Sequence, residues 1–231
     1  MSIVINGATG GVGNSVSKLY AQKGHDLILL GRSESKLNEL RRDILKESKM
    51  KIDVYICDAL DKDSITKCIE EINKLKIKVS LLINIAGVFP YGQITQETDT
   101  IFDECLDINL RLPYLLSKGL FNGLKIDGGG KIINIGSSSS YAGFRNTVSY
   151  CASKHGLLGL SRALNDEWKG EGVTVHCISP GTVDTKMADV LPQDRETYIT
   201  PEELSELIYD TGRYDGNMIV EEVKVVRKVI K

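Results

Sequence analysis

The stretch Ser2-Ile3-Val4-Ile5-Asn6-Gly7-Ala8-Thr9-Gly10-Gly11-Val12-Gly13 decides how this chain of 231 residues folds. A short apolar run is followed at once by a cluster of glycines, and a segment of helical periodicity begins at Val12. Glycines at a strand-to-helix turn let backbone amides approach a pyrophosphate. The same cluster could form a plain tight turn, so the rest of the chain has to discriminate between the two interpretations.

Apolar runs rich in Ile, Val and Leu alternate along the chain with longer helical segments. The alternation is typical of a parallel sheet wrapped by helices, and the runs are apolar on both faces, as covered strands should be. The predicted strands are Ser2–Asn6, Asp26–Leu30, Asp53–Cys57, Val79–Asn84, Lys131–Gly136, Val173–Ser179 and a weaker one at Met218–Val223. The predicted helices are Val12–Lys23, Glu34–Leu45, Lys62–Leu75, Phe102–Leu120, Val148–Lys169 and Pro201–Tyr209. We therefore expect an α/β fold, a Rossmann-like doubly wound, mostly seven-stranded parallel sheet with helices on both faces, which binds ligands at the carboxyl ends of its strands.

Composition and charge narrow the class of protein. Twenty-nine basic and 31 acidic residues give a net charge of -2, with no long block of either sign, so neither nucleic acid nor a membrane surface is an expected partner. No apolar run could cross a bilayer, and the first residues lack the basic leader of a signal sequence. The five cysteines form no C-x-x-C pair and predict free thiols and no metal site. These features predict one cytoplasmic domain over residues 1–231.

The end of the second predicted strand indicates which dinucleotide is bound. Leu30-Gly31-Arg32-Ser33 carries an arginine where an acidic side chain would bind the adenosine ribose hydroxyls. A guanidinium can pair with a 2′-phosphate through its planar fork of donors, which favours NADP(H) over NAD(H). Arg32 could instead be a solvated charge at a helix start. Small residues also follow the next two strands, in Cys57-Asp58-Ala59 and Asn84-Ile85-Ala86-Gly87, where they suit close packing against a base and a ribose.

Tyr150 and Lys154 are spaced for acid–base chemistry. They lie four residues apart in a predicted helix, so their side chains share one face. A neighbouring ammonium favours the phenolate, and we expect Lys154 to lower the pKa of Tyr150 from its ordinary value of about 10. Lys154 could also reach the nicotinamide ribose. An ordinary amphipathic helix could show the same spacing by chance.

Two further polar residues are candidates for the same site. Ser137 follows the fifth predicted strand, and its hydroxyl could donate to a substrate carbonyl as negative charge develops there. The serine run Ser137–Ser140 could equally be a flexible loop. Asn109 lies inside an otherwise apolar helical segment, where asparagine is a poor helix former and should need a partner. It could hold a water that relays a proton to Lys154, or it could be a satisfied amide on the helix surface.

Taken in this order, the segments resemble the short-chain dehydrogenase/reductase family from the first strand to about Thr185. The T-G-x-x-x-G-x-G turn of that family is matched at Gly7, Gly11 and Gly13, with Asn6 where threonine is usual. Its N-N-A-G segment is matched at Asn84-Ile85-Ala86-Gly87, and its P-G-x-x-x-T segment at Pro180-Gly181-Thr182-Val183-Asp184-Thr185.

The resemblance implies the site residues one by one. The implied catalytic tetrad is Asn109, Ser137, Tyr150 and Lys154, with Tyr150 as the acid/base. Ser137 is chosen among four serines because it stands thirteen residues before the tyrosine, with Ser138 as the fallback. The implied substrate contacts are Ser137, Ser139 and Tyr150. The implied cofactor contacts are Gly7, Thr9, Gly10, Gly11, Val12, Gly13, Arg32, Asp58, Ala59, Asn84, Ala86, Gly87, Tyr150, Lys154, Pro180, Gly181, Val183 and Thr185.

The chemistry that follows is hydride transfer between NADP(H) and a carbonyl or alcohol. In the reductive direction Ser137 polarises the carbonyl and Tyr150 donates the proton. The substrate is expected to be a small or carrier-linked ketone, such as a 3-oxoacyl thioester or a keto sugar. A dinucleotide-binding sensor or scaffold is the alternative, but a sensor would need no acid/base group. A nucleotide-sugar epimerase or dehydratase would need a further substrate domain, which we do not expect in 231 residues.

The substrate pocket and the assembly are less well defined by the sequence. The residues expected to line the pocket are Phe89, Tyr91, Ser139, Tyr141, Phe144, Arg145 and Met187, and they form a mixed set that identifies no substrate. Arg145 could pair with an anionic substrate or be a solvated loop arginine. The resemblance implies a homodimer or homotetramer formed through the two long helices. Because the segment Lys186–Thr200 is short and the basic end of the chain lacks a glycine pair usual in the family, the pocket is expected to be open or to be completed by a partner subunit.

Overall fold

The computed structural model describes residues 2–191, 195–216 and 218–228. Its strands are β1 (Ser2–Asn6), β2 (Asp26–Gly31), β3 (Ile52–Ile56), β4 (Val79–Asn84), β5 (Lys131–Ile135), β6 (Thr174–Pro180) and β7 (Glu222–Val225). They form one sheet in the order β3-β2-β1-β4-β5-β6-β7, and every neighbouring pair is parallel. The predicted α/β fold with a seven-stranded parallel sheet is confirmed.

The helices cover both faces of the sheet. They are α1 (Gly11–Gln22), α2 (Glu34–Glu47), α3 (Lys62–Lys74), α4 (Asp99–Leu106), α5 (Leu112–Lys125), α6 (Val148–Trp168) and α7 (Pro201–Arg213). Buried side chains of α1, α2 and α7 form the core on one face, and those of α3, α5 and α6 form the core on the other. None of the helices in the described residues is both long and apolar enough to cross a membrane.

The strands are apolar throughout because each contributes side chains to the cores on both faces of the sheet. In β1, Ile3 and Ile5 point into the core beside α1, while Val4 between them points into the core beside α5. This follows from the two-residue period of a strand, which sends successive side chains to opposite faces. Each such side chain stabilises the fold by roughly 1.5–3 kcal/mol when fully buried.

The order of the strands places a crevice at the middle of the sheet. β1 pairs with β2 on one side and with β4 on the other, so the chain reverses its direction of winding between β1 and β4. Open parallel sheets bind ligands outside the carboxyl ends of their strands at such a switch point. The residues that follow the strands are therefore the ones that form the functional site.

The helix predicted over Phe102–Leu120 is interrupted. A π-helical turn, Asp107–Arg111, separates α4 from α5, and the backbone N–H of Leu112 bonds to the carbonyl of Asp107 five residues earlier. The next residue, Pro113, has no N–H to donate to the carbonyl of Asn109, so regular α-helical bonding fails at this point.

The last strand lies further along the chain than the sequence predicts. The prediction was Met218–Val223, whereas β7 covers Glu222–Val225 and the side chain of Met218 is 66% exposed. Pairing with β6 fixes this position, because the N–H of Cys177 donates to the carbonyl of Glu221 and the N–H of Gly181 donates to that of Val225. The apolar run that motivated the prediction is exposed beside the sheet instead of paired within it.

Candidate active site

A cleft of about 1390 Å³ opens at the carboxyl ends of the strands. It brings together most of the predicted cofactor residues, although they come from the ends of five strands and from helix α6. Those that line it are Gly7, Thr9, Gly10, Gly11, Val12, Gly13, Arg32, Asp58, Ala59, Ala86, Gly87, Tyr150, Lys154, Pro180, Gly181, Val183 and Thr185. The predicted substrate contacts Ser137 and Ser139 line it as well, and so does the fallback Ser138.

The glycine turn, Gly7–Gly13, has no room for side chains. Gly7 has a positive φ of 83°, and a β-carbon there would lie 2.5 Å from the backbone nitrogen of Ala86. A β-carbon on Gly13 would lie 2.1 Å from the carbonyl oxygen of Gly7. Helix α1 begins here without a side-chain cap, so its first N–H groups remain available to an anion in the cleft. These features fit the pyrophosphate of a dinucleotide.

Asn6, which precedes the glycine turn, also faces the cleft. Its side-chain Nδ2 is buried and has no hydrogen-bond partner among the described residues. A buried donor without a partner is costly, and a bound polar group would satisfy it. This second observation supports the fit of a dinucleotide to the turn.

Two basic side chains mark the end of the cleft beside β2 and β3. Arg32 is exposed and forms no ion pair within the described residues. Lys36 lies one helical turn further along and lines the same part of the cleft, which the sequence analysis missed. The cap of α2 fixes their spacing, because the side chain of Ser33 accepts from the N–H of Lys36. The side chain of Asp58, on the neighbouring strand end, accepts from the N–H of Leu60.

Tyr150 and Lys154 lie on one face of α6 and are both buried in the cleft wall. The Lys154 ammonium lies 5.7 Å from the centroid of the Tyr150 ring and donates to the carbonyl of Ile135 at 2.8 Å. Burial lowers the pKa of Lys154 to about 8. Burial also raises the pKa of Tyr150 to about 12, against a smaller opposing effect of a hydrogen bond with Ser137. The predicted lowering of the phenol pKa is therefore wrong for this state of the protein, because loss of solvent around the phenol outweighs the hydrogen bond with Ser137.

Ser137 is held in place by the turn that follows β5. Its hydroxyl accepts from the N–H of Ser139, and its own N–H donates to the hydroxyl of Ser140. The two bonds form a capping box on the short helix Ser138–Ser140, so the serine run is an ordered turn. Ser137 is thereby fixed within hydrogen-bonding reach of Tyr150.

Asn109 and Asn84 lie behind the cleft wall and do not line it. Asn109 is in the π-helical turn, where its oxygen accepts from the N–H of Val88 at 2.8 Å and its nitrogen donates to the carbonyl of Val88 and to Ser153. These bonds fix the segment after β4, and they occupy the amide that was expected to hold a water. Asn84 donates to the side chain of Asn134 inside the sheet, and its predicted contact with the cofactor stays a prediction.

The substrate end of the cleft has an aromatic and open wall. The ring of Phe89 meets that of Tyr150 edge to face at a centroid distance of 4.7 Å. Phe144 and Met187 line the cleft and are exposed, so this side is open to solvent in the single chain. Tyr141 was expected in the lining but turns away, because its hydroxyl donates to Glu222.

The end of the chain supplies lining residues that the sequence analysis did not predict. Val225, Val226 and Arg227 face the cleft beside Gly181. All five cysteines are free thiols, and no group of three or more His, Cys, Asp or Glu within the described residues could hold a metal ion.

Comparisons with known proteins agree with this geometry. The family model described as short chain dehydrogenase matches residues 1–196. The chain is 31% identical over 196 residues to the 3-oxoacyl-[acyl-carrier-protein] reductase FabG of Rickettsia felis, a match that covers 85% of this chain and 78% of that protein.

Two solved structures share the fold over nearly the whole chain. An alcohol dehydrogenase of Thermococcus sibiricus, complexed with 5-hydroxy-NADP, matches with a TM-score of 0.90 and 22% identity, over 99% of this chain and 96% of that one. A proposed NAD(P)-dependent gluconate 5-dehydrogenase of Beutenbergia cavernae, with bound NADP, matches with a TM-score of 0.88 and 26% identity, over 97% and 94%. The chain therefore belongs to the short-chain dehydrogenase family, and it is an oxidoreductase that acts on carbonyl or alcohol groups.

Proposed function

We propose that this protein is an NADP(H)-dependent reductase of ketones. The observation that carries the proposal is the cluster of Ser137, Tyr150 and Lys154 in the wall of a cleft that also contains the glycine turn. A protein that only sensed the dinucleotide would need the glycine turn but would have no use for a buried phenol and ammonium beside a serine hydroxyl.

The side chains at this end of the cleft have separate tasks. The dinucleotide, when bound, supplies the hydride. Ser137 donates a hydrogen bond to the carbonyl oxygen, where negative charge develops. Tyr150 gives its proton to that oxygen, and its raised pKa of about 12 keeps the proton on the phenol at neutral pH until then. The Lys154 ammonium, 5.7 Å from the ring centroid, stabilises the phenolate that remains.

Asn109 has a positioning task in this mechanism. Through its two bonds to Val88 it fixes the backbone after β4, and its oxygen would lie 3.2 Å from a β-carbon on Gly87. The same β-carbon would lie 3.8 Å from the Lys154 nitrogen. Asn109 therefore holds the strip of backbone that lies against the Lys154 ammonium.

The preference for NADP(H) is supported by Arg32 and Lys36, two cations at the end of the cleft where the 2′-phosphate would lie. The NADP complex of the Beutenbergia relative supports it too. As substrate we propose a 3-oxoacyl thioester or a keto sugar, since the relatives include a 3-oxoacyl reductase and a proposed gluconate dehydrogenase. A cytoplasmic homodimer or homotetramer remains part of this proposal.

The test is the loss of NADPH absorbance when the purified protein is mixed with a panel of ketones, in the native chain and in Tyr150→Phe. We expect Tyr150→Phe to lower kcat by about 100-fold or more, because only the proton donor is lost. NADPH affinity, measured by calorimetry, should stay nearly unchanged. Tyr114→Phe is the matched control, because it removes a hydroxyl from an exposed tyrosine outside the cleft.

Undiminished turnover in Tyr150→Phe would remove Tyr150 from its assigned role. A native protein that binds NADPH tightly and reduces none of the ketones would instead support a sensor or scaffold.

A further inference from the structure

The cleft carries far more positive than negative charge. The basic residues that line it are Arg32, Lys36, Arg145, Lys154, Lys186 and Arg227, whereas Asp58 is the one acidic residue among the described lining residues. The whole chain is slightly acidic, with a net charge of -2, so the excess belongs to the cleft and not to the composition. A cleft lined by one sign of charge concentrates ligands of the opposite sign.

The strand order divides these cations into two groups. Arg32 and Lys36 follow β2, and Asp58 follows β3, at the end of the cleft that we assign to the adenosine half of the dinucleotide. Lys154 serves the proton transfer. Arg145, Lys186 and Arg227 remain without a task at the opposite end, beside β5, β6 and β7, where the described lining residues include no carboxylate.

Asp184 and Asp189 lie close to this end in the chain, and both are ion-paired with Arg195, which donates to Asp184 at 2.9 Å. Neither of them lines the cleft, and neither Lys186 nor Arg227 forms an ion pair with a carboxylate within the described residues.

Arg227 is the most firmly placed of the three. It follows β7, and its Cγ lies 3.4 Å from the position that a β-carbon on Gly181 would take. Its guanidinium lies over the ring of Tyr198 at 5.5 Å and donates to the Thr197 hydroxyl at 3.3 Å. It is half-buried and has no carboxylate partner within the described residues. A guanidinium held on an aromatic ring, partly out of water, is well suited to bind a carboxylate or a phosphoryl group.

We infer that Arg227 binds an anionic group of the substrate, so that the natural substrate is a ketone that also carries a carboxylate or a phosphoryl group. The inference rests on the proposed function and names the substrate class for it. Ser137 follows β5 and Arg227 follows β7, two strands further along the sheet, which corresponds to about 10 Å. The anion should therefore be separated from the carbonyl carbon by several bonds, with Arg145 and Lys186 adding to the attraction.

The test compares charged and neutral ketones on the intact protein with NADPH. The probes are methyl ketones with a terminal carboxylate at increasing distance from the carbonyl, the methyl ester of each, and the matching phosphomonoesters. We expect the charged probe to have the lower KM, with an optimum at a spacer of several bonds. Arg227→Met should raise its KM roughly 10- to 100-fold and lower kcat/KM for the ester far less, whereas Arg227→Lys should retain part of the preference.

Arg213→Met is the control, because Arg213 is an exposed arginine at the end of α7 that does not line the cleft. The carboxylate and phosphomonoester probes are then compared. The one whose KM rises more in Arg227→Met carries the group that Arg227 binds. Equal KM values for anion and ester, or equal losses for both in Arg227→Met, would overturn the inference and leave ketone reduction standing.

If no ketone is reduced, the proposed function fails. Whether Arg227 binds an anion is then tested by calorimetric titration of the protein with nonanoate in the presence of NADPH. Binding that weakens in Arg227→Met and survives in Arg227→Lys would support the site. Binding that is absent, or unchanged in Arg227→Met, would overturn it.

Discussion

At the scale of single residues, the proposed preference for NADP(H) over NAD(H) rests on Arg32 and Lys36. Both cations line the cleft beside β2, and Arg32 has no ion pair within the described residues. A 2′-phosphate there would gain charge-assisted hydrogen bonds that a ribose hydroxyl cannot make.

We expect Arg32→Ala to weaken NADPH binding roughly 10- to 100-fold and to leave NADH binding nearly unchanged, because the lost bonds go to the phosphate alone. Lys36→Ala should act in the same direction with a smaller effect. Calorimetric titration with each cofactor measures both. Arg42→Ala, on the same helix but outside the cleft, is the control. Equal losses for NADPH and NADH would mean that the 2′-phosphate is held elsewhere.

The residues show what a sequence can and cannot predict about a site. The spacing of Tyr150 and Lys154 correctly placed them on one face of α6, but spacing carries no information about burial, and burial sets the direction of the Tyr150 pKa. Lys36 could have been found, because it stands four residues after Arg32 at a helix start. Arg227 had no local signal, because it reaches the cleft only through the pairing of β7 with β6.

At the scale of the elements, one carboxylate joins three parts of the chain beside Ser137. Glu222 on β7 accepts from the hydroxyl of Tyr141 at 2.8 Å, directly after the turn that holds Ser137. The same carboxylate binds Arg162 of α6 through two hydrogen bonds, at 2.5 and 3.1 Å. Strand β7 thereby fixes the turn of Ser137 against the helix that carries Tyr150.

We expect Glu222→Ala to lower kcat for ketone reduction about tenfold, because small errors in the position of catalytic groups are costly. NADPH affinity should hold, since the glycine turn lies on the other half of the sheet. Glu222→Gln, which keeps an acceptor for Tyr141, should recover part of the rate. Glu171→Ala, which breaks an exposed ion pair with Lys125, is the control. A change in NADPH affinity with kcat intact would contradict a positioning role for Glu222.

A helix or strand was predicted well where nearby residues determine it, and poorly where distant residues do. The first six strands and most helices follow from apolar runs and helical periodicity, which short windows of sequence contain. The break at Asn109 depends on a proline four residues later, and its sequence signal, Pro113, was available. The position of β7 depends on pairing with β6, which lies some forty residues earlier. A short window of sequence cannot contain both strands.

At the scale of the whole molecule, burial fixes protonation states as well as shape. The pKa values of His25 and His176 are lowered from the ordinary value of 6.5, chiefly by burial. Lys154, with a pKa of about 8 in place of 10.5, is shifted in the same direction. The unfolded chain binds protons at these groups at pH values where the folded chain does not, so the free energy of unfolding rises with pH as the histidines and then Lys154 lose their protons.

Above about pH 9, groups of the opposite sign outnumber Lys154 and the net effect on stability reverses. Burial raises the pKa values of Cys105 and Cys177 from 9.0 and those of Tyr20 and Tyr150 from 10.0. The folded chain then keeps protons that the unfolded chain has released, so stability falls as the pH increases. Exposed ion pairs contribute little to this balance, because water and salt screen them.

The stability of the molecule should therefore pass through a maximum on the alkaline side of neutrality. We expect the urea midpoint at constant ionic strength to rise from about pH 5.5 to a maximum near pH 9 and to fall above about pH 10. His176→Gln keeps a donor for the carbonyl of Val220, which His176 contacts through Nδ1, and should flatten the rise between about pH 5.5 and 7.5 without altering the alkaline fall. A maximum below pH 7, or a midpoint that still rises beyond pH 10, would show that groups other than these buried ones govern the stability.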